Sequence, residues 1–107
     1  MKSTREVSDK MEKRVAKTVG GRVQCGSGST PFLKGDVIKD GWLIECKTKM
    51  KPSSSHAIRK EWLEKAREQM FHTHMENYAL AFDFGDEGQQ YVIIDIETFN
   101  DLINGDI

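Results

Sequence analysis

Residues 34–49, KGDVIKDGWLIECKTK, contain two carboxylates whose spacing points to phosphate chemistry. Asp40-Gly41 is a strong signal for a two-residue hairpin turn, and a turn at that position sets Asp36 opposite Glu45. Like charges directly opposite each other on a sheet repel, so the pair is unfavourable by itself. A divalent cation between the two carboxylates reverses the sign of this interaction, so the spacing predicts a metal site.

The donor atoms and the nearby lysine together predict hydrolysis of a phosphodiester. Mg²⁺ (or Mn²⁺) takes oxygen ligands, often one or two carboxylates with waters and a substrate phosphate. The backbone carbonyl of Cys46 can complete such a shell. Lys47 follows Glu45 by two strand rises, roughly 6.6 Å, on the same face, where it can orient the attacking water or stabilise charge on phosphorus. The alternative is a pair of surface carboxylates beside a salt-bridged lysine.

The hairpin that must position these groups consists of two strands, 32–39 and 42–48. Because side chains alternate between the faces of a strand, one face is expected to be mixed: Asp36, Ile38, Leu43, Glu45 and Lys47. The other face is expected to be apolar and to pack against a helix: Val37, Trp42, Ile44 and Cys46.

The remaining pattern predicts an α/β fold in one domain over residues 1–107. A helix over Ser8–Val19, capped by Ser8 or Asp9, precedes a short extended piece at 22–25 and a loop at 26–30, and a longer helix follows from about His56 to His72. The stripe of this second helix is Ile58, Trp62, Leu63, Ala66 and Met70. Strands at 77–84 and 89–96 and a short helix at 97–103 complete an αβββαββ order with a final helix. We expect a mixed central sheet of about five strands flanked by helices.

Composition favours a reduced, cytoplasmic protein with an uneven charge distribution. The 107 residues are 37% hydrophobic and include two cysteines, without a metal-binding spacing. Residues 1–60 carry 14 Lys/Arg and 6 Asp/Glu, whereas residues 61–107 carry 2 and 11. The basic half favours nucleic acid as a partner, and the alternative is that the two halves neutralise each other in the fold. No P-loop or dinucleotide-binding fingerprint is present.

The hairpin motif GDVIKDGWLIECKTK and the order of elements resemble the PD-(D/E)xK nuclease superfamily, in particular small phage and archaeal Holliday-junction resolvases. In that superfamily a helix with a glutamate precedes a hairpin that bears Asp and then Glu-x-Lys. The resemblance implies a restriction-endonuclease-like core with Asp36, Glu45 and Lys47 as catalytic residues. Glu12 matches the upstream glutamate and is either a third metal ligand or an exposed helix residue. The proline of the family name is replaced by Gly35.

The resemblance also implies DNA contacts and an assembly. Resolvase-like members place a serine near the scissile phosphate, and Ser27 and Ser29 are the candidates, unless their segment is an ordinary loop. Gln69 matches a polar site position of some members. The basic residues near the hairpin are candidates for holding the DNA backbone or are solubilising charges: Lys34, Lys49, Lys51, Arg59 and Lys60. The implied protein is a homodimer that cuts branched DNA, with no membrane partner, in the cytoplasm (of the host, if phage-encoded).

Two other function classes remain open at the sequence level. One is a non-catalytic nucleic-acid-binding module on the same fold, and the other is an adaptor whose acidic half meets a basic protein. His72 and His74 are expected to be surface residues, whereas His56 is a candidate for helix capping or for facing a phosphate. The aromatic residues are expected to build the core: Trp62, Phe71, Tyr78, Phe82 and Phe84.

Overall fold

A mixed five-stranded sheet with three helices forms the part of the chain that the computed structural model describes, residues 3–24 and 36–107. The strands lie in chain order across the sheet. The β3–β4 pair is parallel, and the other neighbours are antiparallel. The predicted α/β class and order of elements are confirmed. The elements are α1 (Thr4–Val19), β1 (Arg22–Val23), β2 (Val37–Lys39), β3 (Trp42–Lys47), α2 (Lys60–His72), β4 (Asn77–Phe82), β5 (Tyr91–Ile93) and α3 (Ile96–Ile103).

The hairpin between β2 and β3 has the predicted turn and register. Asp40 and Gly41 both have positive φ angles, 43° and 84°, as a type I′ turn requires. The paired Cα atoms include those of Val37 and Ile44 and continue to the turn without a bulge. This local turn therefore fixes which side chains of the two strands share a face.

The apolar face of the hairpin packs under α1. Met11, Val15 and Ala16 of α1 are buried against Val37 and Ile44, and the cluster continues onto the alanines of β4. The predicted apolar set is confirmed, since Trp42 and Cys46 also pack against this cluster. The opposite face carries Ile38, Leu43 and Leu80, all buried, and α2 lies across β3 and β4 on that side.

Helix α1 begins earlier than predicted. Ser3, rather than Ser8 or Asp9, is the N-cap, and its hydroxyl accepts a hydrogen bond from the Glu6 N–H at 3.1 Å. Ser3 and Glu6 have the spacing of a capping box, which starts the helix at Thr4. Gly20 ends it in the left-handed conformation, with a φ of 71°.

Helix α2 begins later than predicted, at Lys60 instead of about His56. The reason is tertiary: the Nδ1 atom of His56 lies 2.7 Å from the carbonyl oxygen of Asp83. The backbone then reaches the helix through an extended Arg59. Ala66 and Met70 of the predicted stripe are buried, whereas the expectation that Phe71 is a core residue was wrong, because it is 61% exposed. It follows Met70 by one position and so points away from the buried stripe.

Helix α3 is capped by Asp95, whose carboxylate accepts hydrogen bonds from the backbone and hydroxyl of Thr98, both at 2.8 Å. These bonds lower the pKa of Asp95. Every helix in the described ranges is too short or too polar to cross a lipid bilayer.

Candidate active site

The predicted carboxylates and lysine come together on the α2 face of the hairpin. Asp36 directly precedes β2 and is only 2% exposed. The β2–β3 register, extended by one residue, places it across from Glu45. The amide nitrogen of Gln69 on α2 lies 3.4 Å from Asp36 Oδ2, so the side chain of Asp36 points to the α2 face. Gln69, expected only from the resemblance, is therefore brought into the site.

Lys47 contacts both Glu45 and the first turns of α2. Its Nζ atom lies 3.6 Å from Glu45 Oε1 and 4.8 Å from the centroid of the Trp62 ring. Both charged side chains are partly exposed, 32% for Lys47 and 23% for Glu45. Lys47 is thus held at the rim of the site by an ion pair and an aromatic face, with its ammonium accessible to a ligand.

Glu12 lies at the edge of the buried stripe of α1 and is half-buried, so it is not a fully exposed helix residue. Burial raises the pKa of its carboxyl to about 7, and the negative charges of Asp9 and Glu45 raise it further in the same direction. Glu12 is therefore close enough to Glu45 for the two charges to interact.

Four carboxylates influence the ionisation of Cys46, which lies near the end of β3. Burial raises the pKa of the Cys46 thiol far above its usual range, and the four negative charges add to that effect: Glu12, Glu45, Asp36 and Asp83. Cys46 is a free thiol, and a protonated, largely buried thiol is chemically inert. Its backbone carbonyl remains the group of chemical interest, because it belongs to the strand that carries Glu45.

The donor set suits a hard cation. Two carboxylates on facing strands and a backbone carbonyl supply oxygen ligands only, which Mg²⁺ prefers and completes with waters. Within residues 3–24 and 36–107, no three His, Cys, Asp or Glu side chains are already gathered into a metal-binding group. Hard cations combine such oxygen donors with solvent and substrate oxygens.

The other predicted DNA contacts differ in position. The Nζ atom of Lys49 donates a hydrogen bond to the carbonyl oxygen of Ser55 at 3.1 Å, so it braces the loop before α2. Lys51 is exposed. Three predicted contacts, Ser27, Ser29 and Lys34, lie outside the described residues.

Sequence reasoning missed Asp83, which is 2% exposed at the end of β4. Its carboxylate accepts hydrogen bonds from the Thr48 hydroxyl and from the Gly85 N–H, the latter at 3.0 Å. Its carbonyl oxygen lies 2.7 Å from Nδ1 of His56. A signal existed, because Asp83 follows a strand parallel to β3, and ligand sites of α/β sheets lie at the carboxyl ends of parallel strands.

Comparison with known proteins adds no relative to this geometry. No protein-family model, no curated protein and no solved structure matches the chain.

Proposed function

We propose that the protein is a divalent-metal-dependent DNA endonuclease with a restriction-endonuclease-like core, acting on branched DNA as Holliday-junction resolvases do. The observation that carries the proposal is the shared face of Asp36, Glu45 and Lys47, with one acid almost completely buried. Two carboxylates on one face of a sheet repel each other, and a divalent cation between Asp36 and Glu45 would turn that repulsion into attraction.

Each residue of the site has a defined role in the proposed reaction. Bound Mg²⁺ or Mn²⁺ would supply Lewis-acid polarisation of the phosphate and a more acidic water. Asp36 and Glu45 hold the cation, with the Cys46 carbonyl and Glu12 as further oxygen ligands. Lys47 donates hydrogen bonds to the attacking water or to a phosphate oxygen, which favours the charge that develops during attack. Gln69 positions Asp36 through its amide.

The charge distribution supports a polyanionic substrate. The hairpin, its flanking loop and α1 belong to the half of the chain with eight more basic than acidic residues. The basic residues near the hairpin are suited to contacts with the DNA backbone. Contacts to phosphates and to DNA shape are therefore expected to dominate over contacts to bases.

A homodimer fits both the two-fold symmetry of a four-way junction and the surface of α3. Helix α3, which lies wholly in the described part of the chain, has no buried residue. Its apolar stripe is Ile96, Phe99, Leu102 and Ile103, each more than 40% exposed. Such a stripe is larger than scattered surface apolar residues and is typical of an interface. We place a second copy of the chain on it.

A panel of labelled DNA structures tests the proposed function. Four-way junctions, flaps, nicked duplexes and linear duplexes would be incubated with Mg²⁺, with Mn²⁺ and with EDTA. We expect cut strands with either metal, most rapidly in branched DNA, and none in EDTA. Binding that survives chelation without any cut strand would instead identify a non-catalytic binding module. Absence of both binding and cutting at low salt would favour the adaptor.

A further inference from the structure

The ring of His56 is held in one orientation beside the proposed site. It lies edge-on to Trp62 at 6.2 Å and to Phe82 at 5.7 Å between ring centroids. Phe82 pairs with Lys47 across the parallel β3–β4 ladder, and the Lys47 ammonium lies 4.8 Å from the centroid of the Trp62 ring. His56 and Lys47 therefore lie on the same face, next to the same two aromatic residues.

The hydrogen bond to Asp83 fixes the tautomer of His56. A carbonyl oxygen only accepts, so the Nδ1 atom at 2.7 Å must carry the proton. Asp83 is itself immobilised, because its carboxylate joins Thr48, at the end of β3, to Gly85, after β4. The Nε2 atom makes no hydrogen bond within the described residues. It is left to act as the group that binds a ligand.

Both basic and acidic residues lie on the segments that contact the ring. The basic residues are Lys47, Lys49, Arg59 and Lys60, and the acidic ones are Glu45, Glu61 and Asp83. Glu61 lies 2.5 Å from Arg59, Glu45 lies 3.6 Å from Lys47, and the Asp83 carboxylate accepts hydrogen bonds from Thr48 and Gly85. Neither Lys49 nor Lys60 has an ion-pair partner within the described residues, so these two cations remain for an anion.

We propose that His56 and Lys47 form a phosphate-binding subsite beside the scissile position, which takes the neighbouring phosphate of the same nucleic-acid strand. In the imidazolium form, Nε2–H donates a hydrogen bond to a phosphate oxygen while Nδ1–H keeps its hydrogen bond to the carbonyl oxygen of Asp83. Lys47 neutralises the charge between the two phosphates. The subsite rests on the proposed function in that its phosphate belongs to DNA, but its chemistry, an oxyanion on a fixed imidazolium, does not depend on cutting.

Two variants separate phosphate binding from a structural role. The side-chain amide of His56→Asn can keep the donation to the Asp83 carbonyl in place of Nδ1–H, but has no equivalent of Nε2. His72→Asn is the matched control, because His72 is an exposed histidine at the end of α2 whose Nε2 atom lies 3.8 Å from Glu68 Oε1. A structural role predicts that His56→Asn behaves as the wild type.

The test begins with imidazole ¹⁵N NMR of the full wild-type chain over a pH series, with and without inorganic phosphate. We expect His56 to have its neutral proton on Nδ1, and phosphate to move its titration midpoint to higher pH while that of His72 stays. A proton on Nε2, or a midpoint that phosphate leaves in place, would overturn the subsite.

The second arm measures affinity for a labelled junction in Ca²⁺ at pH 5.5 and pH 8. One charge-assisted hydrogen bond corresponds to roughly tenfold in affinity. Between pH 5.5 and pH 8, we expect the affinity of wild type and of His72→Asn to fall by about tenfold more than the affinity of His56→Asn. If wild type cuts DNA and His56→Asn keeps the wild-type pH dependence, the subsite is wrong and the nuclease stands. If phosphate shifts His56 but DNA is neither bound nor cut, the subsite stands and the nuclease is wrong.

Discussion

At the scale of single residues, the fold makes the Glu12 carboxyl harder to ionise. Burial raises its pKa to about 7, and the negative charges of Asp9 and Glu45 act in the same direction. A bound cation would relieve this repulsion by supplying the missing positive charge. In the proposed site, this repulsion would favour the binding of a metal ion.

The stability of the apo protein should therefore depend on Glu12 between pH 4.5 and 7. The folded state holds this proton more tightly than the unfolded state, whose carboxyl titrates near 4.5. The contribution is complete below pH 4.5, declines as pH rises and is lost above about 7. In urea unfolding, the stability of Glu12→Gln relative to wild type should increase across this window in EDTA. Mg²⁺ above pH 7 should stabilise wild type more than Glu12→Gln. A stability difference that is constant with pH would contradict the environment assigned to Glu12.

The residues that could be predicted from the sequence are those that local geometry controls. Asp36, Glu45 and Lys47 follow from one turn and from the alternation of a strand. The contact between His56 and Asp83 could not be predicted in this way. It joins the loop before α2 to the residue after β4, and so it forms only once β3 and β4 are paired. The sequence carries no local pattern for such a contact.

At the scale of elements, the type I′ turn controls the site. Both turn residues need positive φ, and the register of the whole hairpin depends on that conformation. Local turn chemistry explains why the order of strands and the faces of β2 and β3 were predictable. The start of α2 was not predictable. The apolar stripe from Ile58 favours an earlier start, but the contact of His56 with Asp83 holds the preceding segment outside the helix.

Substitution of Gly41 tests the role of the turn. An alanine at a φ of 84° is strained, so Gly41→Ala should lower the free energy of unfolding by about 1–2 kcal/mol. Asp40→Asn is the control and should stay close to wild type, since Asn tolerates this conformation. Urea denaturation followed by circular dichroism measures both. A Gly41→Ala protein within about 0.5 kcal/mol of wild type would show that the turn does not set the register.

At the scale of the whole molecule, the proposed dimer rests on opposite charges and an exposed apolar stripe. The two halves of the chain differ strongly in charge although the total is −1. Helix α3 carries acidic residues and no basic residue, and an apolar groove with Lys39 at its edge runs between α1 and α3. A second copy offers both the apolar surface and the cation that α3 would contact.

Ile103→Asp should convert a dimer into a monomer without loss of monomer stability, because Ile103 is 65% exposed. Light scattering after size exclusion measures the mass against the 12.2 kDa of one chain. Met50→Asp, at an exposed apolar residue outside α3, is the control and should remain dimeric. A wild-type protein that stays monomeric at high micromolar concentration would refute the dimer.

The most direct test of the proposed metal-dependent cutting is the single-turnover rate on a labelled four-way junction with Mg²⁺, compared between wild type and Glu45→Gln. The substitution keeps the shape of the side chain but removes one of the negative charges that would hold the cation. We expect the rate to fall by at least about 10³-fold, while Glu64→Gln, at an exposed position of α2, cuts at the wild-type rate. Equal rates for wild type and Glu45→Gln would contradict the assignment of this pair of acids as the catalytic centre.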